Sequence, residues 1–346
     1  MAIIVERLTE MVLHCAADQP TRNITWLVPG LIPFGAITII DGDPGQGKSF
    51  LTLELAAAVS QGLTLSAKGR VKDPDRKGPL ASMILNAEDD MNATLKPRLD
   101  GLGANGKYIH FGGEGFNLAG EPSSCFFPEH NAILARAIHV TKAKLVVIDP
   151  IMQFLSPDVR TASDQSVRQA LNGLKLLARK YEAAIVLVRH LNKQAGPKVL
   201  YRGGGSIGII GLARSGIYIG PDPEDRDTKI MAQVKNNLGP LQTPWTFRME
   251  QRAAGRVIRW GGPTDVPLSR VLDAPAEPTP SERCLKFLNA KLGAGGMEPI
   301  NALMAEAKKQ GLSYGTLMRV KRELNVECTK VGKRTFWSIR KKSKGR

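Results

Sequence analysis

The sequence predicts an α/β fold, a mostly parallel sheet flanked by helices, followed by a small basic C-terminal domain. Three observations carry this expectation. Residues 42–49 read Gly-Asp-Pro-Gly-Gln-Gly-Lys-Ser, with the apolar run Ala36-Ile37-Thr38-Ile39-Ile40 before them and an apolar helical stretch from Phe50 to Ala57 after them, which is a strand, a glycine turn and a helix. From Ala36 to about Trp260, apolar strand-like runs alternate with helical stretches, the pattern of repeated βα units. Beyond a proline-rich stretch at 261–280 the composition turns strongly basic.

In chain order, a short amphipathic segment runs from Val5 to His14, and Trp26 to Pro33 packs or loops ahead of the first strand. Strands are expected at 36–41, 81–86, 144–149 and 184–189, and helices near 48–61, 128–140 and 163–180. After about residue 214 the runs Ser215 to Ile219, Lys229 to Val234, Trp245 to Met249 and Arg256 to Trp260 are closely spaced, as antiparallel hairpins extending a sheet edge would be. Five prolines without apolar periodicity make 261–280 an expected linker between an α/β domain at 1–260 and a C-terminal domain at 281–346. That last domain shows three helices, Ser281 to Lys291, Pro299 to Gln310, and one from the N-cap residue Ser313 to Leu324. Two short strands around a basic glycine turn, Val326 to Ile339, follow. Three helices and a basic hairpin are the winged-helix plan.

The chain has 346 residues, 42% of them hydrophobic, enough to bury a core. No run of 18 apolar residues occurs, and Ala2-Ile3-Ile4-Val5 is followed at once by Glu6 and Arg7, so neither a membrane span nor a signal peptide is expected and the cytoplasm is the expected location. Cys15, Cys125, Cys284 and Cys328 are far apart and unaccompanied by histidines at ligand spacing, which fits reduced thiols and predicts neither zinc nor disulfides. The formal net charge is +16. Residues 281–346 hold 16 Lys or Arg against 5 Asp or Glu, a net of +11, and the first 280 residues carry the remaining +5. A segment of that charge suits a polyanion such as nucleic acid; a charged, solvated surface is the alternative.

The 42–49 pattern is a phosphate-binding loop. Glycines let successive backbone N–H groups curl around a polyphosphate, the helix N-terminus adds partial positive charge, Lys48 reaches the terminal phosphates and Ser49 can ligate Mg²⁺. Gly42, Asp43, Pro44, Gly45, Gln46, Gly47, Lys48, Ser49 and Phe50 are therefore the expected nucleotide-binding residues, with ATP and Mg²⁺ as ligands. Lys144 to Asp149 is an apolar strand ending in a carboxylate, as a Walker B strand does; about 100 residues after the loop, Asp149 is placed to hold Mg²⁺. Met83 to Asp90 is a second strand tip with carboxylates. Hydrolysis needs a group to orient the attacking water, and Glu88 is the candidate, helix capping being its alternative; Asp89 and Asp90 are expected to cap the following helix. His190 ends a fourth strand, where it either senses the γ-phosphate or simply packs.

In their order, Gly42 to Ser49, Asn86-Ala87-Glu88-Asp89-Asp90, Val147-Ile148-Asp149-Pro150, Arg189-His190-Leu191-Asn192-Lys193 and Arg202-Gly203-Gly204-Gly205-Ser206 resemble RecA-like ATPases of the RepA type. That group includes the hexameric replicative helicase of broad-host-range plasmids and ATPases of phages and mobile elements. The resemblance spans roughly residues 25–250. It implies a RecA-like core forming a ring with ATP bound between neighbouring subunits, Lys48 and Ser49 on phosphate and Mg²⁺, Glu88 as catalytic glutamate, Asp149 as Walker B aspartate and His190 as γ-phosphate sensor. It also puts an arginine finger at Arg214 and a second trans-acting basic segment at Lys235-Asn236-Asn237-Leu238-Gly239. The loop 192–201, with Lys193 and Lys198, lies where such rings contact DNA, but its charge is modest.

The expected function, resting for its helicase part on the resemblance, is thus a ring-forming, Mg²⁺-dependent ATPase acting on DNA, a replicative helicase or helicase-like motor of a plasmid, phage or mobile element. An ATP-switched, duplex-binding initiator or regulator is the alternative, and a small-molecule kinase is disfavoured by the +11 tail. In the C-terminal domain, Tyr314, Thr316, Arg319 and Arg322 are the base-reading candidates and Lys330, Lys333 and Arg334 the phosphate contacts, unless that domain binds protein.

Overall fold

The structure, a computed structural model, describes residues 15–116, 121–190, 208–225, 227–252, 255–273, 280–293, 297–324, 326–331 and 334–339. The amphipathic stretch Val5 to His14, the loop with Lys193 and Lys198, the Arg202 to Ser206 motif and Lys333 lie outside these residues. The chain divides into two compact units, Met1–Ala274 and Pro275–Arg346.

The first unit is built on a nine-stranded sheet: β1 (Ile37–Gly42), β2 (Ser82–Asn86), β3 (Ile109–Gly112), β4 (Leu145–Asp149), β5 (Ala184–His190), β6 (Ser215–Pro221), β7 (Thr228–Asn236), β8 (Trp245–Arg252) and β9 (Gly255–Pro263). Their spatial order is β9-β8-β7-β6-β1-β5-β4-β2-β3. From β6 to β3 every neighbouring pair is parallel, and β7, β8 and β9 are added as antiparallel hairpins at one edge. This is a RecA-like α/β core. The central strands are continuous runs of Ile, Val and Leu because helices cover both of their faces.

One face is covered by α1 (Lys48–Ser60), whose residues from Leu51 to Ser60 are all buried, and by α2 (Lys96–Gly101). Phe247, Met249 and Trp260 of the edge hairpin pack into the same cluster, which is why α1 is apolar nearly all round instead of amphipathic. The other face carries α3 (Asn131–Thr141), α4 (Asp164–Tyr181) and the short α5 (Gly208–Leu212). Helix α4 buries Val167, Ala170, Leu171, Leu174, Leu177 and Ala178 at three- and four-residue spacing; Ser163 caps its start through a bond from the Ser166 N–H, and Arg179 and Lys180 sit in its last turn.

The edge strand β3 is not among the expected strands; four residues are too few for an alternating pattern to stand out. The stretch expected as a linker differs more. Strand β9 runs to Pro263, and α6 (Leu268–Asp273) packs Val271 against Tyr218, Ile230 and Ala232. Six residues are too short for helical periodicity to be read, and the burial that holds them comes from β6 and β7.

The second unit contains α7 (Pro280–Leu292), a two-residue strand β10 (Glu298–Pro299), α8 (Ile300–Lys309), α9 (Tyr314–Glu323), β11 (Val326–Val331) and β12 (Arg334–Ile339). Its strands form an antiparallel sheet in the order β10-β12-β11. Cys284, Leu288, Leu292, Leu317, Val320 and Trp337 form its core, with the Lys321 ammonium 4.9 Å from the Trp337 ring centre. Ser313 caps α9, its hydroxyl accepting from the Thr316 N–H and sharing a 2.8 Å hydrogen bond with the Thr316 hydroxyl.

Candidate nucleotide-binding and hydrolysis site

The site gathers at the C-terminal ends of β1, β2, β4 and β5. Strand β1 ends at Gly42, where an added Cβ would lie 2.4 Å from the Ile219 carbonyl oxygen of β6, so only glycine allows the two strands to approach. Gly45 and Gly47 have φ of 81° and 89°, left-handed values that turn the backbone of the loop into the start of α1. The Gln46 side chain is buried between them with neither its oxygen nor its nitrogen bonded among the described residues.

Lys48 is buried at the first position of α1, and its Nζ donates to the carbonyls of Gly42 (2.7 Å) and Asp43 (2.8 Å). Burial lowers its pKa to about 8, against the pull of Asp149, Asp43, Asp41 and Glu88. Phosphate oxygens reaching this ammonium would replace the carbonyls and raise its pKa again. The Arg98 guanidinium stacks 4.7 Å over the Phe50 ring and is held by Asp89 at 2.7 Å. Asp89 is therefore an ion-pair partner and not a cap, whereas Asp90 does cap, accepting from the N–H groups of Asn92 and Ala93.

Asp149 ends β4 in register with Asn86 at the end of β2. Burial raises its carboxyl to a pKa of about 6, opposed chiefly by a hydrogen bond from the Ser49 hydroxyl, and its Oδ1 is buried with no partner among the described residues. A desolvated carboxylate beside a serine hydroxyl and an ammonium suits Mg²⁺ and phosphate: a bound cation would favour the charged carboxylate that burial disfavours. Ser49 and Asp149 would hold the metal.

Glu88 follows β2 in a turn fixed by the Asn86 side chain, whose Oδ1 accepts from the N–H groups of Glu88 (2.9 Å) and Asp89 (2.7 Å). The Glu88 carboxylate accepts a 3.2 Å bond from Gln153 Nε2 and lies 3.6 Å from His190 Nε2. It caps no helix. Burial, and then Lys48, lower the His190 pKa against the pull of Glu88, which keeps the imidazole neutral at pH 7. His190 Nδ1 is buried without a partner among the described residues. Gln153 sits in the turn Ile151–Phe154 after β4, and no local pattern marks a glutamine 65 residues away as a partner of Glu88.

Arg214 is not part of this cluster. Its N–H donates to the Ile37 carbonyl at the opposite end of β1, five residues before Gly42, or about 16 Å along the strand. Beside it, Lys235 Nζ donates to the Ile210 carbonyl (2.7 Å), and burial first, then Arg214 and Arg168, depress the Lys235 pKa. Arg168 is a third cation at this end that the sequence did not single out.

The raised Asp149 carboxyl pKa means that the folded state favours the protonated form: its stabilising contribution is full below the ordinary 3.8 and is lost as pH rises through about 6. Asp149→Asn is therefore expected to raise metal-free stability at pH 8, by on the order of 1–3 kcal/mol, while removing the extra stabilisation that Mg²⁺ gives over nucleotide alone. Thermal melts with and without the ligands check both halves.

A parallel sheet of this order with a phosphate loop after β1 and carboxylates at the tips of β2 and β4 defines a P-loop ATPase of the RecA-like class. The chain belongs to the AAA domain family, whose model matches residues 6–196. It is 26% identical over 235 residues to a DNA repair protein RadA from Synechocystis sp., covering 66% of this chain and 41% of that one. A DNA repair protein RadA from Helicobacter pylori is 31% identical over 254 residues, 72% of this chain and 47% of the relative. The chain thus spans less than half the length of these curated relatives. Among solved structures, the KaiC-like protein PH0186 from Pyrococcus horikoshii OT3 superposes with a TM-score of 0.43 at 17% identity, over 69% of this chain and 99% of that one. These relatives are named for repair, so the narrower resemblance to RepA-type helicases rests on motif order alone. Among the described residues no helix is long and apolar enough to cross a membrane.

Proposed function

We propose that the protein is a Mg²⁺-dependent ATPase that acts on DNA in the cytoplasm as a homo-oligomeric ring, a hexameric replicative helicase or helicase-like motor. The observation that carries the reading is the convergence of Lys48, Ser49, Asp149, Glu88 and His190 at the ends of adjacent parallel strands. Bound Mg²⁺ would supply positive charge to the β- and γ-phosphate oxygens. The loop from Gly42 to Phe50 holds the phosphates through its N–H groups and Lys48. Glu88, oriented by Gln153, accepts the proton of the attacking water as its oxygen bonds the γ-phosphorus and the bond to the leaving β-phosphate oxygen breaks. His190, whose Nε2 stands 3.6 Å from Glu88, would donate its single N–H to the γ-phosphate when that phosphate is present and so report on it. Arg214, with Lys235, faces away from its own loop and serves the site of a neighbouring subunit, which makes hydrolysis depend on assembly.

For DNA, the support is the name of the RadA relatives and the second unit. Its order of helix, strand, two helices and two strands suits a winged helix, with Tyr314, Arg319 and Arg322 exposed along α9. Thr316 is a weaker base reader because its hydroxyl is engaged with Ser313, and Arg319 is bonded to the Ser281 hydroxyl. ATP hydrolysis measured with and without single-stranded DNA, with Glu88→Gln as control, tests the reading. Strong stimulation that the variant abolishes is expected of a motor. Indifference to the single strand would favour the ATP-switched duplex-binding regulator, to which the net charge of residues 281–346 also points. Replacing Lys333 and Arg334 by alanine is expected to weaken DNA binding and flatten the slope of log Kd against log salt by about two. An unchanged slope in a salt titration would make this unit a protein-binding module.

A further inference from the structure

Asp41 and Arg189 form an ion pair at the centre of the sheet, their side chains only 4% and 1% exposed. Arg189 Nε donates to Asp41 Oδ1 at 2.8 Å and its Nη2 donates to Oδ2 at 2.7 Å, a two-pronged contact between residues 148 positions apart. The two are direct partners across the parallel strands β1 and β5, and the next pair in the register is Gly42 with His190. Ile39 and Leu187, one pair earlier on the same side, belong to the cluster under α4, so alternation places the ion pair on the face turned away from α1. Neither ion therefore touches a nucleotide held by the phosphate loop.

Stability does not account for the pair. Apolar side chains of similar volume would join two central strands at least as well, since burying two charges costs about as much as their attraction returns. What the ions add is a fixed distance and angle: a planar fork on a carboxylate tolerates little sliding of one strand past the other. The residues that follow each ion are the ones whose relative position matters to chemistry. The Gly42 carbonyl carries Lys48, and His190 stands against Glu88.

We infer that Asp41 and Arg189 are positioning residues that lock the first residue of the phosphate loop to His190 and Glu88, so that the rate of hydrolysis, and not the binding of ATP, depends on them. The inference rests on the ATPase reading above. Loop N–H groups from Gly45 to Ser49 are set by α1 and keep their hold on phosphate when the pair is lost. The Glu88 and His190 side of the site, carried by other strands, loses its register to the loop.

The experiment compares steady-state ATP hydrolysis and thermal melting of the full chain with Asp41→Leu/Arg189→Met and with Arg189→Lys. The double variant is expected to melt no lower than the parent, to keep KM for ATP within about threefold, and to lose about ten- to a hundredfold in kcat. Arg189→Lys, which keeps the charge but not the fork, is expected to show the same split to a smaller extent. A folded double variant with parental kcat, or one in which KM rises and kcat does not fall, overturns the inference. Should the double variant fail to fold, Arg189→Lys decides by the same two criteria. Absence of hydrolysis by the parent chain would overturn the ATPase reading and this inference together, whereas parental hydrolysis with an unaltered variant overturns the inference alone.

Discussion

Arg214→Ala is expected to lower kcat for ATP hydrolysis by about a thousandfold or more, with ATP binding by the isolated subunit unchanged. The reason is placement. Arg214 immediately precedes β6 at the end of the sheet remote from Gly42, where its N–H bonds the Ile37 carbonyl, and it shares that end with Lys235 and Arg168. Three cations crowded together repel one another and gain by receiving an anion, which the phosphates of a neighbouring subunit would supply. The decisive measurement is complementation. An equal mixture of Arg214→Ala and Glu88→Gln subunits, each inactive alone, is expected to recover up to about a quarter of the parental rate, because one interface in four pairs an intact Glu88 with an intact Arg214. A mixture no more active than its components would remove Arg214 from any role in trans.

Glu88→Gln is expected to reduce kcat by about 10²- to 10⁴-fold while leaving ATP affinity within a few fold. The glutamine keeps the size of the side chain but offers no proton acceptor of comparable basicity, and the contacts that bind phosphate lie on β1 and α1. Gln153→Ala, which frees the Glu88 carboxylate without removing it, is expected to cost less, about three- to tenfold in kcat. Equal loss in both variants would assign the chemistry to the Gln153 contact and not to the carboxylate. Single-turnover hydrolysis alongside equilibrium nucleotide binding separates the two.

Much of the first unit was legible because its signals are local. A glycine loop between an apolar strand and an apolar helix has few alternative conformations, and Asp149 and Glu88 are marked by standing where such strands stop. The antiparallel hairpins at β6 to β9 were legible from their spacing. The short strand β3, helix α6 and the strand β10 were not, since two to six residues carry no periodicity and owe their form to the surface they pack on. Of the two residues expected to cap, only Asp90 does so, because Arg98, in the first turn of α2, draws Asp89 into an ion pair.

The phosphate loop, the alternating strands and helices of a RecA-like core, the strand-tip carboxylates and a basic C-terminal region are all properties of residues close together in the chain, and so can be read from it directly. Tertiary structure alone decided that Gln153 holds Glu88, that Asp41 and Arg189 meet across β1 and β5, and that Arg214 lies at the far end from its own loop. Those contacts depend on which strands become neighbours and in what register, and pairing across parallel strands joins residues that no local pattern relates.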